Sequence, residues 1–262
     1  MKDALMGGYI ESGSPIHKMD AFIKFLSMLL LLVSVILSNT IFGYLITIIF
    51  IMLIIAASSI GFKNALGGIT RMWLFFIIIF LMNTVFFETD TPLFSWWIFT
   101  PSFDGAIQGL NVVFRVALAI VIGNILISTT SPLEIIGAIE TLIFPLKYIG
   151  VPVRDIAMIF GVAIQFIPTF ANETQMIRKA QTARGSRFES KKLIEKAQSF
   201  IPLVVPIFLS AFRRADELSV AMEARGYRRT KGGGTLIKRK IVARDIFFVL
   251  FSATLCVAQI FI

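Results

Sequence analysis

Apolar positions dominate the first half of the chain as long unbroken runs. Runs at about 21 to 38, 41 to 60, 72 to 87 and 106 to 127, and a last one at 246 to 262, approach or reach the roughly 20 residues that carry a helix across a bilayer. They predict five transmembrane helices, the third of them short. Between 129 and 245 the pattern changes. Apolar pieces around 155 to 171 and 199 to 212 are short, are punctuated by Pro168, Pro202 and Pro206, and keep company with Arg154, Asp155 and Gln165. Proline kinks or starts a helix, and these polar residues are poor neighbours for lipid. The pieces read as long amphipathic helices at or just below the cytoplasmic surface. Extra crossings, added as a pair, are the alternative and leave the helix ends on the same side. The predicted organisation is therefore residues 1–128 with four transmembrane helices, 129–245 as a cytoplasmic-side coupling domain, and 246–262 as a C-terminal transmembrane helix.

Within the middle region the chain repeats itself. Ala180-Gln181-Thr182-Ala183-Arg184-Gly185 matches Ala221-Met222-Glu223-Ala224-Arg225-Gly226, and each copy is preceded by the same tripeptide, Phe166-Ile167-Pro168 and Phe200-Ile201-Pro202. From proline to arginine the copies run 16 and 23 residues. The difference is about two helical turns, so the arginine leaves on an equivalent face. In the second copy Val204, Phe208, Ala211, Ala215, Leu218, Met222 and Arg225 follow at steps of 4, 3, 4, 3, 4 and 3, a seam that starts apolar and ends on the arginine. Phe166, Phe170, Glu173, Ile177, Ala180 and Arg184 form the matching line, interrupted by Glu173. Small residues at Ala180, Ala211 and Ala215 suit a close helix crossing.

Glycine directly after arginine is the chemistry of a helix that must stop, because glycine takes the left-handed conformation without a Cβ penalty. Arginine in the last turn also complements the negative end of the helix dipole. Capping explains one copy. Two copies, with four matching positions each used at roughly 5 to 9% on average, call for a shared role. A guanidinium at a rigid tip offers a planar fork to a carboxylate or phosphate, so Ala183-Arg184-Gly185 and Ala224-Arg225-Gly226 are the candidate docking residues.

Composition and charge orient the helices. Hydrophobic residues make up 56% of the 262 positions, mean hydropathy is +0.84 and the formal charge is +9. Between Arg178 and Arg244 there are 17 Lys/Arg against five Asp/Glu, which leaves the rest of the chain net −3. Lys63 and Arg71 lie between the second and third runs, whereas Glu88, Asp90 and Asp104 lie between the third and fourth. The positive-inside rule puts the N-terminus and both arginine tips in the cytoplasm and the C-terminus outside, in a multi-pass cell-membrane protein. Trp96 and Trp97 read as an outer interfacial belt, and Lys238, Arg239, Lys240 and Arg244 as a patch for anionic lipid headgroups.

The same residues narrow the chemistry. One cysteine, Cys256, excludes an intramolecular disulfide and a cysteine metal cluster, and a single histidine, His17, argues against a histidine metal site or a serine-type triad. No G-x-x-x-x-G-K-[ST] occurs, so the chain is expected to be non-catalytic, and Gly232-Gly233-Gly234 reads as a loop. So apolar a chain is no nucleic-acid binder. Arg115, inside the fourth run, marks a polar internal contact or pathway.

The paired Ala-Arg-Gly helices resemble the coupling helices of the transmembrane T component of energy-coupling factor (ECF) transporters, the EcfT and CbiQ family. The run from Ser14 through His17 and Asp20 to Lys24 resembles that family's S-x-L-H-R-L-D-P-R-x-K entry to the first span, with Ala21-Phe22 standing where Pro-Arg is usual. Trp96-Trp97-Ile98-Phe99-Thr100 and Pro132-Leu133-Glu134-Ile135 agree as well. The resemblance covers nearly the whole chain. It implies an all-α scaffold in an ABC-type importer of vitamins or other micronutrients, without a cofactor of its own. Two EcfA-type ATPase subunits would bind the ATP, each taking one arginine, and a membrane-embedded substrate-binding S component would lie on an apolar face that includes Val204, Phe208, Ala211 and Ala215. The competing class is a stand-alone secondary transporter with Arg115, Glu134 and Glu140 along its path.

Overall fold

A computed structural model describes residues 8–10, 12–38, 40–87, 101–186, 188, 190, 192–227 and 242–261. The described residues form ten α-helices: α1 (Ala21–Leu37), α2 (Ile41–Ser58), α3 (Phe62–Ala65), α4 (Gly67–Arg71), α5 (Trp73–Phe86), α6 (Phe103–Thr129), α7 (Pro132–Ile143), α8 (Val153–Ala183), α9 (Leu193–Ala224) and α10 (Ala243–Phe261), with a 3₁₀ helix at Phe144–Ile149. Each predicted transmembrane run corresponds to one helix, namely α1, α2, α5, α6 and α10. Trp96, Trp97, the glycine run at 232–234 and the basic cluster at 238–240 lie outside the described residues.

Length and composition make α2, α6, α8, α9 from Ile194 onward, and α10 sufficient to cross a membrane, while α1 and α5 are apolar but shorter. None of the prolines starts a helix: α8 continues through Pro168, and α9 through Pro202 and Pro206, at the loss of one backbone donor per site. The long helices expected around the two short apolar pieces are 31 and 32 residues long.

The chain forms two compact units, Met1–Leu142 with Lys238–Ile262, and Ile143–Ile237. In the first, α1 packs against α10, α6 and α2. Leu31 and Val35 of α1, Ile51, Ile54 and Ile55 of α2, Val121, Ile122 and Ile125 of α6, and Leu255 of α10 bury their side chains in one core. Gly105 and Gly109 let α6 approach α5: a Cβ there would lie 2.8 Å from the Asn83 carbonyl oxygen and 3.1 Å from that of Phe80. Gln259 of α10 donates to the Gly43 carbonyl at 2.9 Å and fills the space a side chain at Gly43 would need.

The segment before α1 is a polar lace at one end of this unit. His17 is buried; its Nε2–H donates to the Ile10 carbonyl at 2.8 Å, and its Nδ1 accepts from the Ser14 hydroxyl at 2.7 Å. Asp20 caps α1 by accepting from the backbone N–H groups of Phe22 at 3.0 Å and Ile23 at 3.3 Å. Lys24 is fully buried, donates to the Thr129 carbonyl at the end of α6 at 2.8 Å, and feels the charges of Glu134, Asp20 and Asp245. The family-like entry motif is therefore a structural clasp holding the ends of α1 and α6 together. Ser131 and Glu134 start α7 as a capping box, with Ser131 N–H donating to Glu134 Oε2 at 3.0 Å and Glu134 N–H to Ser131 Oγ at 3.3 Å.

Candidate functional site

Both Ala-Arg-Gly sequences end their helices in the same way. At the first, Gly185 N–H donates to the Thr182 carbonyl at 3.0 Å and Ser186 N–H to that of Gln181 at 3.0 Å. At the second, Gly226 N–H donates to Glu223 at 2.9 Å and Tyr227 N–H to Met222 at 2.9 Å. This pair of bonds is the Schellman closure, and it needs a left-handed residue after the cap: Gly185 has φ +91° and Gly226 φ +69°. Arg184 and Arg225 are the cap residues, with φ/ψ of −85°/4° and −83°/6°. Both are exposed. The sequence repeat is thus a repeat of backbone geometry, with each arginine placed at the same position of the same helix closure.

Helices α8 and α9 lie antiparallel within the second unit. Asp155 and Met158 at the start of α8 share a cavity with Ser219, Met222, Glu223 and Tyr227 at the end of α9, while Glu173, farther along α8, meets Arg214, earlier on α9. The arginine tips therefore sit at opposite ends of the pair. The helix between Asp155, beside the second tip, and Arg184, at the first, spans about 43 Å at roughly 1.5 Å per residue.

The packed face of α9 differs from the predicted seam. Leu203 is buried and Ile207, Ser210, Ala211, Arg214, Leu218 and Met222 are half-buried, whereas Val204 and Phe208 are 54% and 60% exposed and Ala215 is exposed. The stripe read from the sequence shares Ala211, Leu218 and Met222 with this packed face and departs from it at Val204 and Phe208, whose neighbours Leu203 and Ile207 pack instead. On α8 the line through Phe166, Phe170, Glu173 and Ile177 is half-buried as expected. Ala180 and Ala215, expected at the crossing, are both exposed. The crossing is instead polar and aromatic: Arg214 Nη2 lies 3.6 Å from Glu173 Oε2, and its guanidinium stands over the Phe170 ring at 5.8 Å. Glu173, which broke the apolar line in sequence, is placed where α9 supplies the opposite charge.

Because both side chains are part-exposed, this pair is worth about 1 kcal/mol. Arg214→Ala is expected to lower the melting temperature of the detergent-solubilised chain by a few degrees, and the exchange Glu173→Arg with Arg214→Glu to recover at least half of that loss. A double exchange no more stable than the worse single variant would show that the charges do not pair.

At the second tip the Tyr227 hydroxyl donates to Asp155 Oδ1 at 3.2 Å. Desolvation, followed by this hydrogen bond and the Asp155 charge, raises the phenol above its ordinary pKa. The first tip is followed by Phe188, which is buried, packs edge-on against Phe200 at 5.8 Å between centroids, and lies under the Arg178 guanidinium at 5.7 Å.

Two of the three groups named for a transport path bond within the scaffold. Arg115 donates from Nε to the Tyr44 hydroxyl at 3.1 Å and from Nη2 to the Ser38 carbonyl at 2.9 Å, which ties α6 to the start of α2. Glu134 caps α7, and Glu140 is buried in the first unit. Among the described residues no group of three or more His, Cys, Asp or Glu could hold a metal.

Known proteins share this chain's pattern over almost all of its length. The family described as cobalt transport protein, CbiQ, matches residues 12–234. The energy-coupling factor transporter transmembrane protein EcfT of Ruminiclostridium cellulolyticum is 38% identical over 246 residues, 94% of this chain and 92% of that protein. Its counterpart in Clostridium kluyveri is 37% identical over 258 residues, 98% and 93%. The one in Lactococcus lactis subsp. cremoris is 36% identical over 252 residues, 95% and 94%.

Proposed function

The chain belongs to the CbiQ and EcfT family of energy-coupling factor transporter transmembrane proteins, and from that premise we propose that its two arginine tips dock two separate ATPase subunits. The protein is a multi-pass membrane subunit of an energy-coupling factor transporter, the scaffold of its complex. The observation that carries the proposal is the duplicated helix end: the same Schellman closure, the same exposed arginine, at opposite ends of an antiparallel pair. One partner groove cannot take both tips when they are about 40 Å apart, but two copies of one kind of subunit can. Acidic groups in each groove would pair with Arg184 and Arg225.

ATP is bound and hydrolysed by those partners. Closure of the ATPase pair would push on the tips and turn α8 against α9, and the membrane-embedded S component that carries the vitamin or other micronutrient would ride on α9. Its exposed apolar side, with Val204, Phe208 and Ala215 beside half-buried Ala211, supports that last step. The Lys/Arg asymmetry supports an N-terminus and both tips in the cytoplasm of the cell. Purification in mild detergent is expected to bring down two ABC-type ATPase chains and a small membrane protein with this one. In whole cells a cysteine at position 186, in a Cys256→Ser background, is expected to resist an impermeant thiol reagent. A chain that purifies alone and imports substrate in liposomes would overturn the reading, and external labelling at 186 would overturn the orientation.

A further inference from the structure

The two tips share their backbone closure but differ in what holds them. After Gly185 the next side chain is Ser186, and the chain turns back to pack Phe188 against Phe200. After Gly226 it is Tyr227, whose hydroxyl reaches across to Asp155 in the first turn of α8. That bond is solvent-exposed, with Tyr227 43% exposed, and beside it opens a groove of about 300 Å³ lined by Asp155, Met158, Ser219, Met222, Glu223 and Tyr227. The polar tie bridges this open groove between the helices. A tie at the rim of an open groove can part without rearranging a packed core, whereas the contact of buried Phe188 resists displacement.

We propose that Tyr227 is the positioning residue of the second tip, and that its hydrogen bond to Asp155 is a releasable tie that sets the direction of Arg225. The first tip is then the fixed docking point and the second the compliant one. The tie also links Arg225 to the base of the helix whose far end carries Arg184, so a displacement at one ATPase subunit is passed along α8 toward the other. This rests on the docking of both arginines proposed above.

The test uses the assembled transporter in proteoliposomes. Tyr227→Phe keeps the ring and the backbone closure but removes the donor, so the ATPase chains should co-purify to within about twofold while substrate imported per ATP hydrolysed falls about tenfold. Asp155→Ala should match it, the double variant should be no worse than either, and Asp155→Asn, which keeps an acceptor oxygen, should retain at least half of the ratio. An unchanged ratio in Tyr227→Phe, beside loss of the ATPases in an Arg184→Ala, Arg225→Ala variant, would overturn the tie and leave docking intact. Full ATPase recovery in that double arginine variant would instead overturn docking. Loss of both ATPases in Tyr227→Phe, or additive effects at 155 and 227, would show a plain packing role and overturn the assignment.

Discussion

Replacing Arg184 and Arg225 together by alanine is expected to strip the complex of its ATPase subunits and abolish ATP-driven uptake, while either single change leaves part of the assembly and little uptake. Each arginine is the cap residue of a closed helix end, so its removal leaves the Gly185 or Gly226 closure in place and the helix intact. The loss therefore falls on the contact made with the partner. Truncating a charged group in a buried socket costs about 2 to 5 kcal/mol, much of it from the acid left unpaired. One such loss weakens a two-point attachment, and two remove it. Lysine should rescue poorly, because an ammonium cannot reproduce the planar fork. Co-purified ATPase and uptake, measured side by side, decide the matter: normal values in the double variant would reduce the arginines to helix caps.

Lys24→Met is expected to destabilise the protein by about 3 to 5 kcal/mol, the range for breaking a buried charge set by removing one member. Lys24 is fully buried with its ammonium on the Thr129 carbonyl, and Asp245, one of the charges acting on it, is fully buried as well. Methionine fills a similar volume, so the loss comes from the Thr129 carbonyl left without its donor and from the lost attraction of Glu134, Asp20 and Asp245, and not from a cavity. Thermal denaturation in detergent reads it directly. A melting temperature within two or three degrees of the parent, about the shift for 1 kcal/mol in a chain of this size, would show that the clasp carries little.

Some of this was legible before the structure because the signals are local. An apolar run long enough for a bilayer permits few readings, and α1, α2, α5, α6 and α10 lie where the runs lie. Gly185 and Gly226 end helices because no other residue enters the left-handed region so cheaply. The errors arose where neighbours decide. Periodicity cannot separate a face packed on another helix from one presented to lipid or a partner when both are apolar, so the apolar stripe of α9 did not tell that Leu203 and Ile207 pack while Val204 and Phe208 are exposed. Proline suits both a helix start and a helix interior that gives up one bond, and local propensity alone does not tell which applies at Pro168, Pro202 and Pro206, all of which lie inside helices. The Glu173–Arg214 and Tyr227–Asp155 contacts depend on where two helices meet, which no spacing along one of them reveals.

The first compact unit is assembled from both sides of the second. Its central helix, α1, is made early, yet the helix it packs against, α10, is made only after α8 and α9. During synthesis α1 must wait with part of its apolar face uncovered and Lys24 without Asp245, and Gln259 is not yet available to the Gly43 carbonyl. A chain that ends between Arg225 and Ala243 therefore carries both Ala-Arg-Gly helix ends on an unfinished membrane unit, with part of its apolar surface still uncovered.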